Sequence, residues 1–201
     1  MAAAATIIGA MIGFAGTMIQ TAVQAAGATV AEEPQAANSV QAMKNLYGNG
    51  VSTLVTIANG TGGPMTIRDS GDSSGHIWKY PYPPQIEAGQ IGCFLHVHTS
   101  GTAGGSVGAV QYYLTPSSVK SPPSSASTNA FIFAWSTPYS SSNSVLVVDN
   151  SALNTDYKTV FNNMGKAGGT TNVNSNGFSA TGSIGQGTSP ACNFNVTYSG
   201  V

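Results

Sequence analysis

The chain of 201 residues is long enough for one domain with a substantial core, or for a domain with an accessory element. Only 6% of the residues are charged, against about 25% in an average globular protein. The net charge of −1 argues against nucleic-acid binding and against attraction of a polybasic segment to anionic lipids. Abundant Gly, Ser, Thr and Asn, with few Lys or Glu, favours strands and turns.

Residues 1–31 contain no charged side chain, and residues 5–30 predict an amphipathic helix with an uncharged polar face. This helix is long enough to cross a bilayer, but a plain anchor would not keep a stripe of Gly, Gln and Thr. The stretch lacks the basic residue of a conventional signal peptide. We therefore expect a soluble protein, cytoplasmic or released. The simplest interpretation docks this helix on its own domain; the alternative lets it move to lipid or to neighbouring copies.

A second, shorter helix is predicted after Pro34, which should end the first one. Asn38 or Ser39 can cap its start, and Gly48 can end it. Met43 lies on its apolar face. We accordingly predict that residues 1–48 form a helical segment packed on the rest of the chain.

From residue 51 the hydrophobic period changes to that of strands, separated by turn-forming residues. A short helix is predicted within residues 149–165, and residues 78–84 form a proline-stiffened aromatic loop. Many strands with few helices predict a mainly-β sandwich flanked by helices over residues 49–201. The predicted strands are 51–58, 64–69, 91–97, 106–114, 130–135, 144–149, 178–184 and 192–198.

Residues that could support catalysis or metal binding lack the patterns this chemistry needs. His96 and His98 stand two apart on a predicted strand, with His76 as a third imidazole, but zinc needs a complete set of ligands with suitable spacing. Two partly exposed histidines on an edge strand are the simpler interpretation. Ser136 has no Gly-x-Ser-x-Gly elbow, and the glycine-rich run 101–108 lacks the Lys of a phosphate loop. We therefore predict no enzyme, metal or cofactor.

The two cysteines, Cys93 and Cys192, are enough for one disulfide. Their separation along the chain does not decide whether they meet. Because Cys93 lies inside an apolar run, a buried reduced thiol is the favoured interpretation.

Aromatic side chains near predicted loop ends are the remaining candidates for binding. Most aromatic residues of a protein belong to the core. Aromatic residues where polar turns meet strands also suit a quaternary ammonium group, through cation–π contacts, and the water–lipid interface. These residues are Trp78, Tyr80, Tyr82, Trp135, Tyr139, Tyr157 and Phe161.

Three segments resemble, in the same order and spacing, the actinoporins, pore-forming cytolysins of sea anemones. Residues 55–62 (VTIANGTG) resemble their first core strand and turn, residues 105–112 (GSVGAVQY) their glycine-led strand, and residues 133–139 (FAWSTPY) their Phe-Ser-x-Pro-Tyr segment. The whole chain also resembles a mushroom member of the wider actinoporin-like family that binds sphingomyelin together with cholesterol. Residues 47–50 (YGNG) are among the segments that resemble plant jasmonate-induced proteins.

The resemblance implies an actinoporin-like β-sandwich and a pocket for phosphocholine. The aromatic wall of such a pocket would face the trimethylammonium group, and its hydroxyls would face the phosphate. The positions that the resemblance carries over are Thr61, Val107, Ser136, Pro138, Tyr157 and Phe161. In that mapping Tyr157 and Phe161 stand at i and i+4, on the same helix face. Ser144 and Asn162 replace family tyrosines, and the loop after Tyr139 lacks the family's aromatic residues.

The resemblance thus implies a non-enzymatic protein that recognises sphingomyelin in cholesterol-containing membranes and can form homo-oligomers there. Peripheral membrane contact is assigned to Trp78, Tyr80, Tyr82 and Tyr139, of which the first three would compensate for the missing loop aromatics. One alternative is a pore-forming cytolysin in which helix 5–30 lines a channel. Another is a defence protein that binds glycans or protein partners.

Overall fold

The structure is a computed structural model, which describes residues 29–30, 33–115 and 129–199. The helices of these residues are α1 (Glu33–Tyr47) and α2 (Tyr157–Met164). The strands are β1 (Thr29–Val30), β2 (Ser52–Gly60), β3 (Met65–Ser74), β4 (His76–Ile77), β5 (Gln85–Ile86), β6 (Ile91–Val97), β7 (Ser106–Leu114), β8 (Asn129–Thr137), β9 (Ser144–Asp149), β10 (Thr170–Ser175), β11 (Phe178–Ile184) and β12 (Ala191–Tyr198).

The strands form two sheets. The first has the order β1-β6-β2-β12-β11-β10, with β4 also paired to β6, and the second has the order β5-β3-β7-β8-β9. β2 and β12 run parallel, and the other pairs are antiparallel. The expected mainly-β sandwich flanked by helices is confirmed.

Alternate residues of each strand point inward, and many of those that meet between the two sheets are aromatic. Phe94 of the first sheet lies 5.3 Å from Trp135 of the second, measured between ring centroids. Phe133 lies 5.2 Å from Phe194 in the same way. These tilted and edge-to-face contacts are geometries that aromatic pairs prefer, and they join the two sheets.

Each outer face of the sandwich is covered by one helix. In α1, Val40 and Met43 are buried against apolar residues of β2 and β6. In α2, Val160 and Met164 are buried against alanines and isoleucine of β7 and β8. In the part of the chain that the structure describes, no helix is both long enough and apolar enough to cross a membrane.

The helical predictions for the N-terminal part need two corrections. Most of helix 5–30 lies outside the described residues, but Thr29 and Val30 form a strand that pairs with β6. α1 begins at Glu33 rather than after Asn38 or Ser39. Pro34 falls in its first turn, where the N–H that proline lacks would have no helical partner. The division into segments 1–48 and 49–201 stays a prediction.

Cys93 and Cys192 are both buried and are not joined in a disulfide, as the apolar surroundings of Cys93 predicted. Cys93 lies under α1 on the outer side of the first sheet, whereas Cys192 belongs to the core between the sheets. Because the two side chains occupy opposite faces of one sheet, they cannot bridge. Burial raises the pKa of the Cys93 thiol to about 11.

Strand register defines two ends of the sandwich. What we call the upper end contains the loops 48–51, 98–105, 138–143, 165–169 and 185–190. What we call the lower end contains the loops 61–64, 87–90, 150–156 and 176–177. α1 reaches the upper end, since Lys44 Nζ donates to the carbonyls of Gly48 and Gly50.

Replacing Met43 with alanine tests how firmly α1 is docked. Met43 is fully buried, so we expect Met43→Ala to lower the free energy of unfolding by about 2–5 kcal/mol in urea titrations. Asn45→Ala, at an exposed position of the same helix, is the control and should change it by less than about 0.5 kcal/mol. Equal effects of the two variants would show that α1 does not contribute a packed face.

Candidate functional site

Val107 and Ser136 face each other across β7 and β8 at the upper end. Both are half-buried, and they lie on the outer face of the second sheet, on the same side as Ala109 and Ala134. Ser74 is the partner of Val107 on β3. The result is a row at the strand ends that combines hydroxyl-bearing and aliphatic residues.

Pro138 follows this row, in a loop that is held by contacts with two neighbouring loops. Gly105 packs so closely that a Cβ atom there would lie 2.6 Å from Pro138 Cα. The buried Asn143 donates from Nδ2 to the carbonyls of Gly185 and Gly187, at 2.9 Å each. The loop after β8 is therefore held to its neighbour, and Tyr139 projects from it with 64% of its surface exposed.

Helix α2 presents two aromatic rings beside this row. Its first turn is capped by Asp156, which accepts a hydrogen bond from the Thr159 N–H at 2.7 Å. Its last turn is tied to β9, because Ser144 Oγ donates to the Met164 carbonyl. Tyr157 and Phe161, one turn apart, stack with their ring centroids 6.2 Å apart and their planes 24° apart.

The place of Tyr157 depends on the absence of a side chain at Gly71. A Cβ atom at Gly71 would lie 2.8 Å from Tyr157 Cδ2. Gly71 pairs with Ala109, which is two residues from Val107 on the same face of β7. The aromatic pair and the Val107–Ser136 row therefore share one surface. Phe161, one turn further along α2, lies nearer to the upper end.

The Tyr157 hydroxyl is buried, and it has no hydrogen-bond partner among the described residues. Burial raises the pKa of this hydroxyl, and the nearby carboxylate of Asp69 raises it further. The group therefore stays protonated across the physiological range and can donate a hydrogen bond.

Thr61 does not join the other predicted headgroup residues. It lies in the turn after β2 at the lower end, where it is only 2% exposed and its hydroxyl is bonded within the turn. Leu114, at the lower end of β7, lies about 23 Å from Val107 along the strand, at about 3.3 Å per residue. The hydroxyl-bearing residue beside Val107 is Ser74, whose Oγ donates to the Gly105 carbonyl at 3.0 Å. The sequence interpretation missed it because the predicted strand stopped at Asp69, five residues early.

The four residues assigned to membrane contact have different environments. Tyr139 is exposed, and Trp78 and Tyr80 are half-buried against the cluster under α1. Tyr82 is buried in the core, where its ring packs edge-to-face on Phe94. Its hydroxyl donates to Asp72 at 3.3 Å. Because little of its surface reaches solvent, we do not assign Tyr82 to membrane contact.

The inner side of the upper end contains a chain of polar groups that links the two sheets. Thr137 and Thr53 are joined at 2.8 Å, and Thr53 and Ser106 at 2.7 Å. His96 Nδ1 lies 2.9 Å from Ser106 Oγ, and its Nε2 lies 3.1 Å from the Asp72 carboxylate. The Asp72 carboxylate can only accept, so the Nε2–H donates to it; the one proton of the Ser106 hydroxyl has two acceptors within reach, Nδ1 and the His96 carbonyl at 3.0 Å.

The expectation of two partly exposed edge histidines is wrong for His96, which is fully buried on a strand with neighbours on both sides. Asp72, which has no motif relation to it in the sequence, is its partner. Ser106, His96 and Asp72 have the composition of a hydrolase triad. The serine is fully buried, however, and closed to any substrate. Within residues 29–30, 33–115 and 129–199, no group of three or more His, Cys, Asp or Glu could hold a metal.

Comparisons with known proteins agree with this fold. A family model described as Nakanori-like protein matches residues 18–198. A 23 kDa jasmonate-induced protein of Hordeum vulgare is 36% identical over 156 residues, covering 74% of this chain and 70% of that protein. The crystal structure of Nakanori, described as a lipid binding protein, matches with a TM-score of 0.72 and 24% identity, over 81% of this chain and 78% of that one. The resemblances to a mushroom lipid-binding protein and to plant jasmonate-induced proteins are confirmed.

Protonation of His96 should couple the stability of the protein to pH. Burial lowers the pKa of His96 below its ordinary 6.5, and the Asp72 carboxylate only partly offsets this. The unfolded chain therefore binds this proton first, so stability is complete above the ordinary pKa and falls as the pH drops from about 7 to about 5. Urea unfolding across this range measures the loss, and NMR titration of the imidazole identifies its source.

Asp72→Asn is the matched variant. It removes the charge that favours the imidazolium, so the pKa of His96 should fall further. An imidazole that titrates at or above its ordinary pKa in the unmodified protein would contradict this account.

Proposed function

The chain belongs to the Nakanori-like family, and from that premise we propose that it is a lipid-binding protein that recognises the phosphocholine headgroup of sphingomyelin in cholesterol-containing membranes. A structurally similar protein, Nakanori, is described as a lipid binding protein. The proposal gives the same general activity to this chain and adds a headgroup, a site and a membrane composition.

The observation that carries the proposal is the surface shared by the aromatic pair and the Val107–Ser136 row. The faces of Tyr157 and Phe161 would attract the trimethylammonium group through cation–π contacts. The half-buried hydroxyl of Ser136 would donate to the phosphate, as a charge-assisted hydrogen bond. Val107 and Pro138 would supply the aliphatic wall between these parts. Thr61 is not part of the proposed site.

Sphingomyelin and phosphatidylcholine carry the same phosphocholine group, so this site accounts for choline lipids as a class. A preference for sphingomyelin with cholesterol must come from contacts below the headgroup or from the packing of the membrane. We base that part of the proposal on the family likeness. Vesicles that differ only in the lipid backbone or in cholesterol test it separately.

The proposal contains no catalytic step and no cofactor. Ser106 and His96 of the Ser–His–Asp set are buried, and the serine hydroxyl is engaged with Thr53 and His96. A protein that binds and releases an intact headgroup needs neither a nucleophile nor a metal.

Vesicle binding of Tyr157 variants tests the site. With sphingomyelin/cholesterol vesicles, Tyr157→Ala should weaken binding by a factor of about 2–30, the range expected for loss of a cation–π contact of about 0.5–2 kcal/mol. Tyr157→Phe keeps the ring and should bind closer to the unmodified protein. Tyr113→Ala, on β7 but nearer the lower end, is the control and should bind unchanged.

Two outcomes of that experiment would contradict the proposal. Unchanged binding of Tyr157→Ala would remove the aromatic pair from the site. Equal binding to phosphatidylcholine vesicles without cholesterol would remove the sphingomyelin and cholesterol preference. Dye release, read from the same vesicles, separates binding alone from pore formation.

A further inference from the structure

Among the described residues, large hydrophobic side chains are exposed at two positions, Leu46 at 61% and Tyr139 at 64%. They belong to different layers, since Leu46 lies in α1 on the first sheet and Tyr139 follows β8 of the second sheet. Strand register nevertheless puts both at the upper end. They flank the end of the sandwich that carries the proposed headgroup site.

The corner around Leu46 has the composition of a membrane interface. Tyr47 packs edge-to-face on Trp78, with ring centroids 5.9 Å apart. Lys44 Nζ lies 5.1 Å from the centre of the Tyr47 ring, and Lys79 Nζ lies 5.8 Å from the centre of the Trp78 ring. Aromatic rings with a polar edge concentrate at the level of lipid headgroups, and lysines there bury their stems while the ammonium stays in water.

The charges of the two ends are also different. The upper loops, as defined above, contain no Asp or Glu, and their one charged residue is Lys166. The lower end carries Glu87 and Asp156 in its loops. The carboxylate nearest the upper end, Asp72, accepts hydrogen bonds from Tyr82 and His96. An end without loop carboxylates avoids repulsion from lipid phosphates, whereas the lower end would meet it.

We propose that the whole upper end rests on the headgroup layer of a phospholipid bilayer and touches it at two corners, one formed by Leu46, Tyr47 and Trp78 and the other by Tyr139. The inference rests on the proposed lipid-binding function and adds the orientation of the molecule. The corners are separated by the thickness of the sandwich, with about 10 Å from one sheet to the next. Together with the headgroup site on the outer face of the second sheet, the two corners give three separate contacts, which fix the tilt of the domain as one contact cannot.

Two substitutions at exposed positions test the corners without disturbing the core. Leu46→Ser and Tyr139→Ser should each weaken binding to sphingomyelin/cholesterol vesicles by about tenfold. The affinity for free phosphocholine, measured by NMR titration, should stay unchanged, because neither side chain belongs to the proposed pocket. Thermal unfolding confirms that each variant is folded.

Leu153→Asn is the matched control. Leu153 lies at the lower end, and its backbone φ of 55° is one that asparagine adopts readily. The variant also removes an apolar side chain, but on the side away from the membrane, so vesicle binding should not change.

The outcomes separate this inference from the proposed function. If Leu46→Ser binds vesicles as well as the unmodified protein, the α1 corner does not touch the bilayer and the two-corner orientation is wrong. Equal weakening by Leu153→Asn would also overturn it. If both corner variants lose vesicle binding while free phosphocholine does not bind the unmodified protein, the membrane surface stands and the headgroup pocket fails.

Discussion

A hydrogen-bonded chain between the two sheets supports the outer surface at the upper end. Ser106 and Thr137 point inward, and both are joined to Thr53 of the opposite sheet. Their neighbours in sequence, Val107 and Ser136, point outward because side chains alternate along a strand. The inner hydrogen bonds therefore hold the strand ends on which the proposed headgroup site is built. A buried polar network of this kind specifies one arrangement when all its members are satisfied.

Much of this arrangement could be predicted from the sequence. Alternating apolar residues located most of the strands, and the spacing of Tyr157 and Phe161 put both rings on one side of α2. The actinoporin resemblance put Val107, on the glycine-led strand, in the same pocket as Ser136 of the Phe-Ser-x-Pro segment. These features depend on local periodicity or on direct strand neighbours, which a sequence records well.

The parts that escaped prediction depend on contacts between distant segments. β3 has two irregularities in its pairing with β7, so its pattern ends before the strand does and Ser74 was missed. The sequence alone suggested that His96 is an edge residue. Its partner Asp72 lies 24 residues away in the sequence, and only the fold brings the two together. β10 alternates Thr, Asn and Ser around one valine, which predicts a turn more readily than a strand.

NMR titration of the protein with free phosphocholine tests the central claim most directly, since it locates the headgroup without a membrane. We predict saturable shifts of the amide signals of Val107, Ser136 and Phe161, with no shift in the turn at residues 59–63. Shifts confined to that turn would contradict the proposed site. So would a titration with excess phosphocholine in which no amide signal of the upper end shifts.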